Sequence, residues 1–138
     1  MIEAGVRLRH IECNTLVYMY VSSLICVPAG RFHGPIVVTM RPIPEAQVEL
    51  VGELSARYPH AHGAPLHVGD PTAIGIADLR RPDYGDPVPI HPDEVPVFWA
   101  CGVTPQAVAP KARPELMITH EAGVMFLTDL SRKGEIRA

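Results

Sequence analysis

The sequence has no CxxC pair, no net positive charge and no apolar run of bilayer length, and each absence removes a class of protein. Its three cysteines, Cys13, Cys26 and Cys101, are an odd number without zinc-ribbon spacing, which speaks against a disulfide framework and for buried reduced thiols. A formal charge of −3 provides no basic footprint, so nucleic acid is not an expected partner. The longest apolar run, Leu16 to Val27, is broken by Ser22 and Ser23 and falls short of the roughly 20 residues that a membrane helix needs. Nothing at the start resembles a secretory signal, so no membrane contact and a cytoplasmic address are the expectations.

What remains is a chain of 138 residues, 47% hydrophobic and 20% charged, enough for one core. Fifteen prolines lie scattered between apolar segments rather than clustered. That distribution predicts a loop-rich, proline-rich α/β domain with rigid connections, a mixed β-sheet flanked by helices.

Ile2 to Leu8 reads as a helix tail closed by Gly5, or a turn into a strand. It lacks an N-cap, which suggests that residues upstream of Met1 are missing. Leu16 to Val21 has strand composition. Ile36 to Pro42 suits a strand buried on both faces. Pro44 and Glu45 open a helix running to about Tyr58, with Ala46, Leu50 and Leu54, joined by Val51, as its apolar stripe. Between His60 and Arg81 only Ile74 to Ile76 suggests a short strand, and Val88 to His91 is an edge strand at best. Val95 to Val103 is a second buried strand. Thr104 and Pro105 start a helix towards Ala112, interrupted by Pro110. Leu116 to His120 and Val124 to Leu130 read as short strands.

Three constellations could carry chemistry. In the loop His60 to Pro71, His62, His67 and Asp70 are set among glycines and prolines that can aim imidazoles and a carboxylate into one cleft. They equally suit turns that bond their own backbone. Gly102, Thr104 and Gln106 follow a strand end and open a helix, where free N–H groups attract a carboxylate. Cys101 beside them is either a nucleophile or packing. Thr119 and His120 precede Gly123 at a third such position, with capping of a turn as the alternative. Arg41 closes the strand Val37 to Met40 and is suited to clamp a substrate carboxylate, or else to pair with a loop aspartate.

These segments together are similar to the D-glutamate cyclase family, whose bacterial members carry the label hydro-lyase. The resemblance rests on PAGRFHGPIVVTMRP (28–42), HGAPLHVGDP (62–71), IGIADL (74–79), PDYGD (82–86), EVPVFWACGVTPQ (94–106), ITH (118–120) and MFLTDL (125–130). It implies an α/β protein and a lyase removing water from a small amino or hydroxy acid, for instance D-glutamate closing to 5-oxo-D-proline. It also implies that residues 1–138 are a single domain matching the C-terminal part of the family, with the N-terminal half absent. Relatives have serine where Thr39 stands, and read Ala-Pro-Gly-His-Met where this chain has Glu121 to Met125.

At positions within these segments, residue chemistry makes Arg41 the carboxylate anchor, His62 or His67 the base, and Asp70 or His120 its partner. The Gly102–Thr104 turn is the oxyanion site, with Gln106 and Thr119 as further contacts. The expected partner is a small carboxylic or amino acid, with self-association or pairing with the missing half as a second possibility. Neither cofactor nor metal is expected. Two other readings stand beside the enzyme: a non-catalytic remnant that binds a small carboxylate, and a zinc-dependent hydrolase resting on the histidine count.

Overall fold

A computed structural model of the protein describes residues 1–124, and its core is a four-stranded sheet in the order β1-β2-β4-β3. The strands are β1 (Met19–Ile25), β2 (Pro35–Pro44), β3 (His67–Val68) and β4 (Glu94–Ala100), each antiparallel to its neighbours. The helices are α1 (Arg9–Glu12), α2 (Val48–Ala56) and α3 (Thr104–Ala112), with 3-10 turns at Ile2–Ala4, Glu45–Gln47 and Pro71–Ile74. The α/β class expected from the sequence is the class observed.

β2 and β4 form the centre because both of their faces are covered, which their near-continuous apolar sequences require. On one face Tyr20, Val38, Met40 and Phe98 pack with Ile74 and Ile76. On the other, Ile43, Val97 and Trp99 pack with Val51 of α2 and Val6 of the N-terminal segment. The part-buried ion pair of Arg9 with Glu94 ties that segment to the start of β4. β2 runs past the expected end at Pro42. There Pro42 faces Pro96 in register, while the Pro96 carbonyl accepts from Gly69 N on the β3 side. By the antiparallel alternation neither proline nitrogen points across the β2–β4 pair, so the missing donors cost that ladder nothing.

Several boundaries differ from the sequence reading. The first strand is Met19–Ile25 rather than Leu16 to Val21, with Leu16 half exposed ahead of it. Ile74 and Ile76 do not form a strand. They flank Gly75, whose φ of 77° closes the 3-10 turn Pro71–Ile74, and both are buried as the loop folds over the sheet. Residues 88–91 and 116–120 form no strand, and Leu116 and Ile118 are exposed. α3 continues through Pro110 to Ala112, and Arg113 then turns left-handed at φ 47°. The expected strand at Val124 to Leu130 lies, beyond Val124, outside the described residues.

The apolar stripe of α2 is rotated. Ala46 belongs to the 3-10 turn Glu45–Gln47, so its angular position does not carry into the α-helix. Val48, Val51 and Ser55 face the sheet, while Leu50 stays 39% exposed. At the turn after residue 82, Asp83 Oδ2 accepts from Val21 N at 2.8 Å and the Tyr84 carbonyl accepts from Met19 N at 2.9 Å. Gly85 closes this turn at φ 77°, where a Cβ would sit 2.3 Å from the Val17 carbonyl oxygen. Among the described residues no helix is long and apolar enough to cross a membrane.

Candidate active site

One cleft of about 520 Å³ opens on the face of the sheet that α2 covers. Arg41 of β2 and Trp99 of β4 contribute to its floor, and Leu54, Ser55 and Tyr58 of the α2 region to one wall. His62 and Gly63 close a second side, and the N-terminal residues Met1 to Ala4 a third. Most of these walls are apolar, so a charge within them meets little competing water.

Arg41 is the cation of this cleft. Its guanidinium lies over the Trp99 ring, 5.2 Å from the centroid. Its Nε is buried without a hydrogen-bond partner. Burial pushes its pKa down, while Tyr18 and then Cys101 push it up; an arginine remains cationic under such influences. No carboxylate pairs with it among the described residues: Glu12 and Glu94 pair with Arg9, and Asp78 with Arg80. The expected alternative, an ion pair with a loop aspartate, is therefore not what the described residues form. Stacking on an aromatic face compensates only part of the desolvation of a guanidinium, which leaves capacity for an anion.

His62 stands at the rim of the same cleft, exposed to solvent overall but with its ring partly desolvated against the protein. Its Nδ1 lies 2.6 Å from the Ala100 carbonyl oxygen. A carbonyl only accepts, so Nδ1 carries the hydrogen and Nε2 keeps its lone pair. Desolvation lowers the pKa most, the Ala100 bond raises it, and the charge of Arg41 lowers it again. The net direction is down from 6.5, so the ring is neutral at neutral pH and Nε2 can take a proton.

The other candidates lie elsewhere. His67 Nε2 bonds the Asp70 carbonyl oxygen at 2.7 Å, and its ring packs 5.7 Å from that of Phe98 across the β3–β4 pair. The Asp70 carboxylate caps the turn that follows it, accepting from Thr72 N at 2.9 Å and from the Thr72 hydroxyl. Those bonds hold its pKa below the usual carboxylate value. Neither residue lines the cleft. Both are occupied with backbone, as the turn reading has it.

Thr104 stitches α3 to the sheet: its hydroxyl accepts from Val37 N at 3.0 Å and donates to the Cys101 carbonyl at 2.9 Å. Gly102 is exposed with open space where a Cβ would be. Gln106 Nε2 donates to the His120 carbonyl at 2.8 Å, while His120 Nδ1 bonds the Glu121 carbonyl at 2.7 Å and Thr119 is exposed. These residues gather around α3, and none lines the cleft. Cys101 packs against Met19, with Sγ 3.3 Å from Sδ, and burial raises its thiol pKa, which favours packing over a thiolate nucleophile. Among the described residues no three His, Cys, Asp or Glu side chains come together as a metal-binding group.

Sequence reasoning did not single out Ser55 or the indole of Trp99. Trp99 is fully buried, and its Nε1 donates to Ser55 Oγ at 3.0 Å. Ser55 Oγ in turn donates to the Gly52 carbonyl at 3.2 Å. A serine on the buried face of an otherwise apolar stripe is the available signal, and the Ala46, Leu50 and Leu54 spacing points to a different face.

The molecule is thus an α/β protein with a largely apolar cleft lined by both Arg41 and His62. It belongs to the D-glutamate cyclase family, whose model matches residues 1–129. It is 55% identical over 130 residues to a "Putative hydro-lyase" of Geobacillus kaustophilus, covering 94% of this chain and 49% of that protein. To a "Putative hydro-lyase" of Methylobacterium radiotolerans it is 58% identical over 130 residues, covering 94% of this chain and 48% of the relative. To "Putative hydro-lyase YcsI" of Bacillus subtilis it is 53% identical over 130 residues, covering 94% of this chain and 51% of the relative. The chain spans about half the length of the curated relatives it matches.

Proposed function

We propose that the protein acts as a carbon–oxygen lyase that removes water from a small amino or hydroxy acid, held by its carboxylate on Arg41 and deprotonated by His62. The observation that carries this reading is the pairing, in one cleft, of a cation lacking a carboxylate partner among the described residues with a neutral imidazole whose Nε2 is free. For D-glutamate the step balances as follows. The amine attacks the γ-carboxyl carbon, a C–N bond forms and a C–O bond breaks. The amine enters as an ammonium and loses two protons, one to free its lone pair and one after the C–N bond forms. His62 Nε2 relays them in turn to the departing γ-carboxylate oxygen, which leaves as water. The product is 5-oxo-D-proline. For a hydroxy acid the same base removes a C–H proton, a C=C bond forms, and the C–O bond breaks as that proton passes to the hydroxyl, which leaves as water. The relatives' designation as hydro-lyases supports dehydration as the reaction class.

The test is to incubate the protein with D-glutamate and with a panel of small 2-amino and 2-hydroxy acids, following products by chromatography. A dehydrated product that is lost in His62→Gln supports the reading. No product from any member, or full activity in His62→Gln, overturns it.

A second reading is a carboxylate-binding module without turnover. It is favoured by the absence of Asp70 and His120 from the cleft lining, which leaves His62 without either expected partner there. Binding without product would select it. The same proposal extends to setting and partners: a cytoplasmic protein, supported by the free thiols of Cys13, Cys26 and Cys101, that associates with itself or with a second half. The exposed Leu116 and Ile118 support such association.

A further inference from the structure

The geometry points to Ser55 and Trp99 as positioning residues for the carboxylate anchor: they fix the plane in which Arg41 presents its guanidinium to the cleft. This inference rests on Arg41 being the anchor, and it adds what holds that anchor in place.

Val48 and Val51 of α2 face the sheet, and one turn further Ser55 arrives on the same face, directly above β4. There it meets a fully buried indole that needs a hydrogen-bond acceptor. Trp99 Nε1 donates to Ser55 Oγ at 3.0 Å, and the hydroxyl, having accepted, donates onward to the Gly52 carbonyl at 3.2 Å. The direction of both bonds is therefore determined, because an indole nitrogen only donates and a carbonyl only accepts. The indole cannot rotate without orphaning that N–H in the core.

Arg41 lies over the ring so fixed, with its centroid 5.2 Å away. Trp99 pairs with Thr39, two residues before Arg41 on β2, so the ring and the guanidinium share one face of the sheet. The Arg41 Nε is buried and unpartnered, and no ion pair from the described residues restrains the head group. The Trp99 face is then the contact that orients the charge, and a guanidinium clamps a carboxylate well only when its plane is presented correctly. Ser55 lines the cleft wall, and its effect on the ligand runs through Trp99 and Arg41.

Trp99 is the sole tryptophan of the chain, so its fluorescence reports on this relay alone. The experiment titrates D-glutamate and glutarate into the wild-type protein, Ser55→Ala, Ser55→Thr and Trp99→Phe. Indole emission is followed where Trp99 is retained, and calorimetry is applied to all four. The wild type is expected to show a saturable emission change. Ser55→Ala is expected to shift the unliganded emission and to weaken binding about fivefold to tenfold. Ser55→Thr, which restores the hydroxyl, is expected to recover the affinity. Trp99→Phe, a smaller ring without the N–H, is expected to weaken binding at least as much as Ser55→Ala. If Ser55→Ala melts earlier yet binds with the wild-type affinity, the residue is merely structural and the inference fails while the anchor reading stands. If the wild type binds neither compound, the anchor reading fails and this inference falls with it.

Discussion

The guanidinium of Arg41 and the indole of Trp99 stack at 5.2 Å on the floor of the cleft, and no carboxylate among the described residues shares the charge. A desolvated cation in that condition weakens the fold on its own account and strengthens any anion that reaches it. Stability and binding should therefore separate on substitution. Arg41→Met keeps the volume and removes the charge. The melting free energy is expected to stay level or rise by about 1 kcal/mol, while binding of small carboxylates falls below detection. Parallel thermal melts and titrations check both halves.

The neutral His62 makes a pH prediction with a defined sign. Its pKa is lowered chiefly by desolvation, so the basic form persists below the ordinary 6.5. The acid limb of kcat/KM is expected to lie below that value, and to vanish with the activity in His62→Gln. An acid limb above 6.5 would contradict the cause assigned here.

The same shift, with that of His10, is a statement about stability. Desolvation lowers the pKa of both rings from 6.5, more securely for the half-buried His10, with Arg41 as its second cause, than for His62, whose exposed ring is partly screened by solvent. The unfolded chain thus binds more protons, and the stability involved is present above the unfolded pKa and lost as pH falls through and below it. Thermal melts from about pH 7.5 to about pH 5.5 should show a falling midpoint. Replacing both histidines with glutamine should flatten that slope.

Packing predictions test the rotated face of α2. Val51 is fully buried and Leu50 is not, so Val51→Ala is expected to cost about 2 kcal/mol or more and Leu50→Ala less than about 0.5 kcal/mol. Chemical denaturation of the two variants decides which face meets the sheet.

Gly85 gives a sharper steric test. A Cβ at this position would lie 2.3 Å from the Val17 carbonyl oxygen, at a left-handed φ of 77°. Gly85→Ala is expected to cost more than about 2 kcal/mol, because backbone rather than a flexible side chain must move.

How much of this was legible in the sequence depended on range. β2 and β4 announced themselves because a strand buried on both faces has no polar alternation, whereas the helix expected to open at Pro44 begins only at Val48, after Pro44 has ended β2 and a 3-10 turn has followed. β3 did not, since two residues carry no period, and its place at the sheet edge exists only through pairing with Phe98 and Val97. Ile74 and Ile76 resembled a strand because buried loops and short strands share composition; the left-handed Gly75 between them decides the matter.

The site divided in the same way. Arg41 and His62 stood out as charged or titratable groups in apolar or glycine-rich surroundings, and the fold brings them to one cleft. His67 and Asp70 share the loop of His62, yet local bonds to their own backbone govern them. The Ser55–Trp99 relay was invisible because it joins residues 44 apart in sequence and needs both the helix rotation and the strand register.

The most direct measurement is the crystal structure of the protein grown with saturating D-glutamate. The account predicts electron density in the cleft between Arg41 and His62, with a ligand carboxylate about 3 Å from the guanidinium. A ligand seated instead at the Gly102 to Gln106 turn, or an empty cleft beside Arg41, would contradict it.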